Sequence, residues 1–363
     1  MNGPDVALWR LRNQRLIGEP FARPQDAVAA LGAVQSQDYA GASWALGQRA
    51  DACTGADVHR AYSEGAILRT HIMRPTWHFV APADIRWIQE LTGPRVQAGN
   101  AGRYRQLELD AATLRASQRI IERALRAGTR LTRTELAHVL NAKGIDATGQ
   151  RLAYMVMNAE LNLVACSGGR RDGQHTYALV DGRAPAAPAL SRDEALGRLA
   201  LRYFTGHGPA QPQDFAWWSG LTVADARRGI EANAGDLESL DVDGKRHWFA
   251  AGSRPPPIPR RPIVHLLPNY DESFIAYRDR SAMMHPEVTR DGVVLNDVLG
   301  VHVITLNGQI VGGWRRYAKD GAAINATLLV EFDRAEHRAL ERAAAAFARF
   351  AGGSAALEIS YRT

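Results

Sequence analysis

Between Thr113 and Asp181 the sequence sets helix punctuation three times and then changes period, an order that few folds accommodate. Ser117–Leu125 carries a helical pattern that Gly128 ends. Thr132-Arg133-Thr134-Glu135 has the spacing of a capping box and opens a second helix to about Ala142, where Gly144 breaks it. Thr148 opens a third through Leu152, Met155, Val156, Ala159 and Leu163. A strand Leu163–Ser167, a tip Gly168–Gly173 and a strand His175–Val180 complete the unit as a hairpin. Three helices followed by a hairpin make a helix-turn-helix variant with a wing, whose third helix ordinarily enters the major groove. Gln150, Arg151, Tyr154 and Asn158 are then candidate contacts on that helix, with Arg170 and Arg171 at the wing tip reaching phosphates. Such units also serve as spacers and protein-binding modules, and the sequence leaves both uses open.

The same order is expected before and after this unit. In the first 109 residues, Val6–Arg12 opens a helix, Ala27, Val28, Ala30, Leu31 and Val34 share a helical face, and Ala42, Trp44, Ala45 and Leu46 start another. Asp57 to Gly65 reads as a short helix, and Ile67–Val80 as two strands around a turn at Arg74-Pro75. On one arm Thr76, His78 and Val80 share a face, and Trp77 and Phe79 share the other, which reads as core. A proline-rich linker, Arg183–Pro188, precedes helices Asp193–Phe204, Gln213–Trp218 and Thr222–Ala232 and a strand His247–Ala250, with Trp217-Trp218 as a packing pair. A second break, Arg254–Pro259, leads into strands Ile263–Leu267, Val293–Val298, Val301–Leu306, Ile310–Arg316 and Ala323–Phe332. Asn307-Gly308 signals a hairpin, Arg334–Phe350 a helix, and Leu357–Tyr361 a closing strand. Tyr270, Asp271, Tyr277, Arg278 and Arg280 cluster after a Leu-Leu-Pro turn, either lining a cleft or anchoring the β-rich part. The expected fold class is α+β: three tandem winged-helix units (1–109, 110–183, 190–252) and a C-terminal β-rich domain (258–363).

Composition narrows the function classes. Hydrophobic content of 46% and charged content of 23% are ordinary for a water-soluble globular chain, and no run of about 18 apolar residues exists to span a membrane. Cys53 and Cys166 are isolated, as reduced cytoplasmic thiols are. Residues 1–183 hold 23 Lys+Arg against 17 Asp+Glu, and residues 184–363 hold 21 against 21, so the whole excess of +6 lies in the first half. A basic half suits a polyanionic partner, although an arginine bias alone also follows from a GC-rich genome. No phosphate-binding glycine loop, His-Glu-x-x-His, Cys-x-x-Cys or Gly-x-Ser-x-Gly motif occurs, so neither a metal nor a cofactor is expected.

Val34-Gln35-Ser36-Gln37-Asp38 interrupts an apolar, helix-rich segment. Two glutamines two apart cannot share a face of a regular helix, so for both to enter one cleft the backbone must leave the helix. Spacing alone favours solvated glutamines followed by Asp38 as a helix cap. The Gln-x-Gln pair resembles the AlkZ/YcaQ-like family of bacterial winged-helix DNA glycosylases, and further stretches match in family order. They are Leu68–Val80, Gln150–Tyr154, Phe215–Leu221 and Leu266–Glu272. The resemblance implies that Gln35 and Gln37 are catalytic, and it supports a ligand-facing role for Arg69, Arg74 and His78, with a structural role for these three equally open. Ser36 departs from the family, which usually has an aliphatic or small residue between the glutamines.

The chemistry such a pair can perform is limited and specific. A purine alkylated at N7 is cationic and leaves without an acid to protonate it, through a transition state resembling an oxocarbenium ion. Two amide carbonyls can place a water at C1′ and stabilise positive charge, provided neighbours hold their NH2 groups. The resemblance thus implies a metal-free, monofunctional glycosylase for N7-alkylguanine, including bulky adducts or interstrand crosslinks. Its partner is double-stranded DNA with alkylated bases, and it acts as a monomer in the bacterial cytoplasm. The alternative is a non-catalytic winged-helix DNA-binding protein or transcriptional regulator, which prefers one sequence and dimerises on a palindrome.

Overall fold

A computed structural model describes residues 2–290, 302–316 and 322–361; the expected strand Val293–Val298 lies outside the described residues. The chain starts with helix α1 (Gly3–Asn13), closed by a capping box between Asn2 and Asp5. Helix α2 (Pro24–Leu31) stops at Gly32, whose φ of +85 favours glycine. Strand β1 (Val34–Gln35), α3 (Tyr39–Gly47), α4 (Gly55–Glu64), β2 (Leu68–His71) and β3 (Trp77–Val80) follow. They build a sheet in the order β1-β3-β2. Val34 and Phe79 face a core of α2, α3 and α4, whereas Leu68 and Val80 face a second core, so the sheet is buried on both sides.

The next element was not legible. Helix α5 (Ile85–Gln106) runs through Gly93-Pro94, a pair that reads as a break. Pro94 removes one backbone hydrogen bond. Burial of Ile85, Trp87, Ile88 and Leu91 at one end and Tyr104 at the other holds the helix across it. The middle unit keeps the expected three helices and hairpin and adds a short strand: α6 (Ala111–Ala124), β4 (Leu131–Thr132), α7 (Arg133–Asn141), α8 (Gly149–Leu161), β5 (Ala165–Arg171) and β6 (Gln174–Leu179). Its sheet order is β4-β6-β5. Thr132 and Glu135 close the anticipated box, Thr132 N–H to Glu135 Oε2 at 2.7 Å and Glu135 N–H to Thr132 Oγ1 at 3.3 Å.

Helices α9 (Arg192–His207), α10 (Pro212–Ser219) and α11 (Val223–Glu231) precede the two-stranded pair β7 (Leu237–Val242) and β8 (Lys245–Ala250). Their apolar side chains, among them Leu199, Tyr203, Phe215 and Trp218, merge with Leu68, Val80 and Ile88 into one core. The helical parts are therefore fused through shared apolar burial. The C-terminal part holds β9 (Val264–Leu267), α12 (Glu272–Ile275), α13 (Pro286–Arg290), β10 (His302–Leu306), β11 (Gln309–Arg316), β12 (Ala322–Leu328), α14 (Arg334–Ala351) and β13 (Ala355–Tyr361). Its sheet order is β13-β12-β11-β10-β9, with β12 and β13 parallel across α14. Asn307 and Gly308 both take positive φ at the β10–β11 turn, as a two-residue hairpin of this kind requires. The fold is α+β.

Candidate active site

Three residues after α2 ends, the chain is extended and pairs with β3: Val34 lies opposite Phe79 and Gln35 opposite His78. Gln35 closes this two-residue strand and Gln37 lies in the bend that follows, so the backbone has left the helix, as entry of both side chains into one cleft requires. Ser36 N–H donates to the Trp77 carbonyl at 2.7 Å, tying the motif to β3. The N–H of Gln35 meets Glu272 Oε1 at 2.8 Å instead. Asp38 caps α3 as expected, its Oδ1 accepting the N–H groups of Ala40 and Gly41 at 3.1 Å each.

The turn between β2 and β3 fixes both amides. Arg74 Nη2 donates to Gln35 Oε1 at 2.7 Å, and the Trp77 N–H to Gln37 Oε1 at 3.3 Å. Neighbours therefore hold the oxygens, where the sequence reading expected them to hold the NH2 groups. A carbonyl oxygen has two lone pairs, so each keeps one for a water. Gln35 is 6% exposed and Gln37 is open to solvent, which places the pair at a surface with one member recessed.

Arg69 sits beneath the motif. Its Nε and Nη2 donate to the Ser36 carbonyl at 3.1 and 3.0 Å, and its guanidinium lies 4.4 Å from the Trp77 ring centroid. The Ser36 hydroxyl is buried with no hydrogen-bond partner among the described residues, so the departure from the family's usual residue adds no bond there. His78 is fully buried and shut off from any duplex in this conformation. Its Nδ1 is 3.0 Å from the Thr76 carbonyl; burial first and Arg74 second push its pKa well below the ordinary histidine value. Arg74 is half-buried; burial and then Arg280 lower its pKa while Glu272 opposes them.

The candidates of the middle unit have other partners. Arg103 donates to the side chain of Gln150, and Arg151 to the Leu107 and Asp146 carbonyls. Asn158 is buried against α5, bonding Gln97 and Tyr104, so it cannot reach a groove. Tyr154 packs edge-on to Tyr104. At the wing tip Arg171 pairs with Glu135, while Arg170 lies 5.3 Å from the Tyr39 ring centroid, next to the motif.

The cluster after the Leu-Leu-Pro turn is an anchoring network. Arg49 meets Asp271 with two bonds of 2.8 Å, both groups buried, and Tyr277 donates to the His207 carbonyl at 2.7 Å. Burial works against the Asp271 charge, but Arg49 and Ser273 outweigh it and hold the carboxyl below the ordinary aspartate range. The sequence marks Trp218 only as half of a packing pair and does not single out Glu272 or His207; the signal available was that Glu272 and Trp218 lie in stretches that match the family. Among the described residues no cluster of His, Cys, Asp and Glu suits a metal ion, and no helix is long and apolar enough to cross a membrane.

The family described as DNA glycosylase AlkZ-like matches residues 28–350. An interstrand DNA cross-link repair glycosylase of Streptomyces sahachiroi is 23% identical over 369 residues, covering 96% of this chain and 96% of that protein. The solved structure of Streptomyces sahachiroi DNA glycosylase AlkZ has a TM-score of 0.81 and 21% identity, covers 100% of both chains, and speaks for the fold. The chain belongs to the DNA glycosylase AlkZ-like family, enzymes that hydrolyse N-glycosyl bonds.

Proposed function

We propose that this chain excises cationic N7-alkylguanine from double-stranded DNA, including bulky adducts or interstrand crosslinks, as a metal-free monofunctional glycosylase. The observation that carries the reading is the fixed pair of amide oxygens on Gln35 and Gln37, held by Arg74 Nη2 and the Trp77 N–H. Their remaining lone pairs orient a water toward C1′ and face the positive charge that grows on the sugar. The alkylated purine takes the electron pair of the breaking bond and leaves neutral, so no side chain has to protonate it. Arg74 at the turn grips the duplex beside the lesion, and Arg69 acts by holding the Ser36 carbonyl. Arg170 and Arg171 supply phosphate contacts from the wing, with Gln150 and Arg151 behind them. His78, buried beneath the site, supports the turn from below through the Thr76 carbonyl. The same reading takes the helical parts as three tandem winged-helix units, 1–109, 110–183 and 190–252, ahead of a β-rich domain at 258–363. It acts as a monomer on DNA in the bacterial cytoplasm.

Incubation with a duplex carrying one N7-methylguanine, followed by cleavage of abasic sites, tests this. Excision is expected for N7-methylguanine and not for neutral 1,N6-ethenoadenine, with little effect of flanking sequence. Asp38 and Asp271 are committed elsewhere, Asp38 to capping α3 and Asp271 to Arg49. Tight binding to one undamaged palindrome with no excision transfers the assignment to a regulator.

A further inference from the structure

Two successive buried carboxylates at the start of α12 are treated in opposite ways. Asp271 is neutralised by two bonds to Arg49. Asp84 has Arg202 at 2.5 Å and Arg198 at 3.6 Å, and Asp214 has Arg10 at 4.0 Å, whereas buried Glu160 pairs with His71. Glu272 is 0% exposed and, among the described residues, has no lysine or arginine within ion-pair distance. Its oxygens take the Gln35 N–H at 2.8 Å, the Trp218 indole N–H at 3.0 Å and His207 Nε2 at 3.3 Å. One carboxylate thus joins β1, α9 and α10.

Burying a carboxylate on N–H dipoles and a histidine ring, without a lysine or arginine, costs stability that a neutral residue of the same shape does not cost. Such arrangements gather where a charge has work to do. The nearby cation, Arg74, spends its Nη2 on the other side of Gln35, on the side-chain oxygen. Arg74 alone would oppose the approach of a cationic purine, and a carboxylate bonded to the Gln35 backbone offsets it.

We propose that Glu272 is a positioning residue for excision: it fixes Gln35 through the backbone N–H and lends the site the negative charge that two neutral amides lack. This rests on the reading of Gln35 and Gln37 given above. No bond to Glu272 forms or breaks. The water oxygen joins C1′ as the C1′–N9 bond breaks, the pair of that bond neutralises the purine, and the water proton passes to solvent. The fixed charge stabilises the oxocarbenium character reached between those events.

The test uses the full chain and Glu272→Gln, which keeps the shape and one acceptor oxygen. The probes are a duplex with one N7-methylguanine and two duplexes with unreactive abasic sites, one a cationic pyrrolidine and one a neutral tetrahydrofuran. Wild type is expected to bind the pyrrolidine duplex at least about tenfold more tightly than the tetrahydrofuran duplex. The variant is expected to lose that preference and to excise at least about tenfold more slowly, with unchanged affinity for undamaged duplex; its NH2 group faces an N–H donor, so a modest fall in Tm accompanies this. An unchanged excision rate, a retained pyrrolidine preference, or a loss of rate that only parallels lost Tm and lost binding overturns the proposal. If the variant does not fold, wild type decides alone, since equal affinity for the two abasic duplexes overturns it. Wild type that excises no N7-methylguanine refutes the function reading instead.

Discussion

Arg74 Nη2 stands 2.7 Å from Oε1 of Gln35, so the turn joining β2 to β3 holds a side chain of β1, the strand that pairs with β3. A planar guanidinium can fix the direction of an amide oxygen, which a mobile ammonium does less well. Arg74→Lys is therefore expected to keep most duplex affinity and lose about tenfold in single-turnover excision, about 1.4 kcal/mol of transition-state stabilisation. Arg74→Ala should lose both. Rates and equilibrium binding measured side by side separate the two effects, and a lysine variant as fast as wild type shows that Arg74 does not orient Gln35.

The buried pair of Arg49 and Asp271 makes a separate prediction about stability. Arg49→Met leaves a carboxylate buried and unpaired, which costs about 3–5 kcal/mol in comparable cases. Denaturant unfolding at neutral pH checks this. The Asp271 pKa is lowered in the fold, so its contribution is fully present above the unfolded value near 3.8 and is lost as pH falls from there through the lower folded value. The gap in stability between wild type and Arg49→Met should accordingly narrow in acid. A gap that widens below pH 4 contradicts the assignment.

Much of this architecture is legible because its signals are local. The Thr132–Glu135 box and the Asn307-Gly308 turn stand where their residue chemistry puts them. The strand β1 has two residues, too few for any period, so the sequence could only require that the backbone leave the helix before Gln37. Helix α5 was hidden by Gly93-Pro94, where tertiary burial at both ends outweighs a local breaker. Glu272 was hidden by distance, since its bond to Gln35 spans 237 positions and nothing near it in sequence marks it as a partner.

The wing gives a prediction about positioning. Arg170 folds toward Tyr39 and Arg171 pairs with Glu135 at an exposed tip, so both can exchange these weak contacts for phosphates. Replacing both with Ala should weaken binding to all duplexes alike and make the salt slope shallower by about one to two units. Titrations across a salt series measure it. Unchanged affinity at low salt makes the middle unit a spacer.

The central claim is that Gln35 and Gln37 perform the chemistry, and single-turnover excision from a duplex with one N7-methylguanine tests it most directly. Gln35→Ala and Gln37→Ala are each expected to slow excision at least about tenfold while duplex binding stays nearly intact. Ser36→Ala should excise like wild type, because the hydroxyl has no partner to lose among the described residues. Wild-type rates in both glutamine variants would contradict the account.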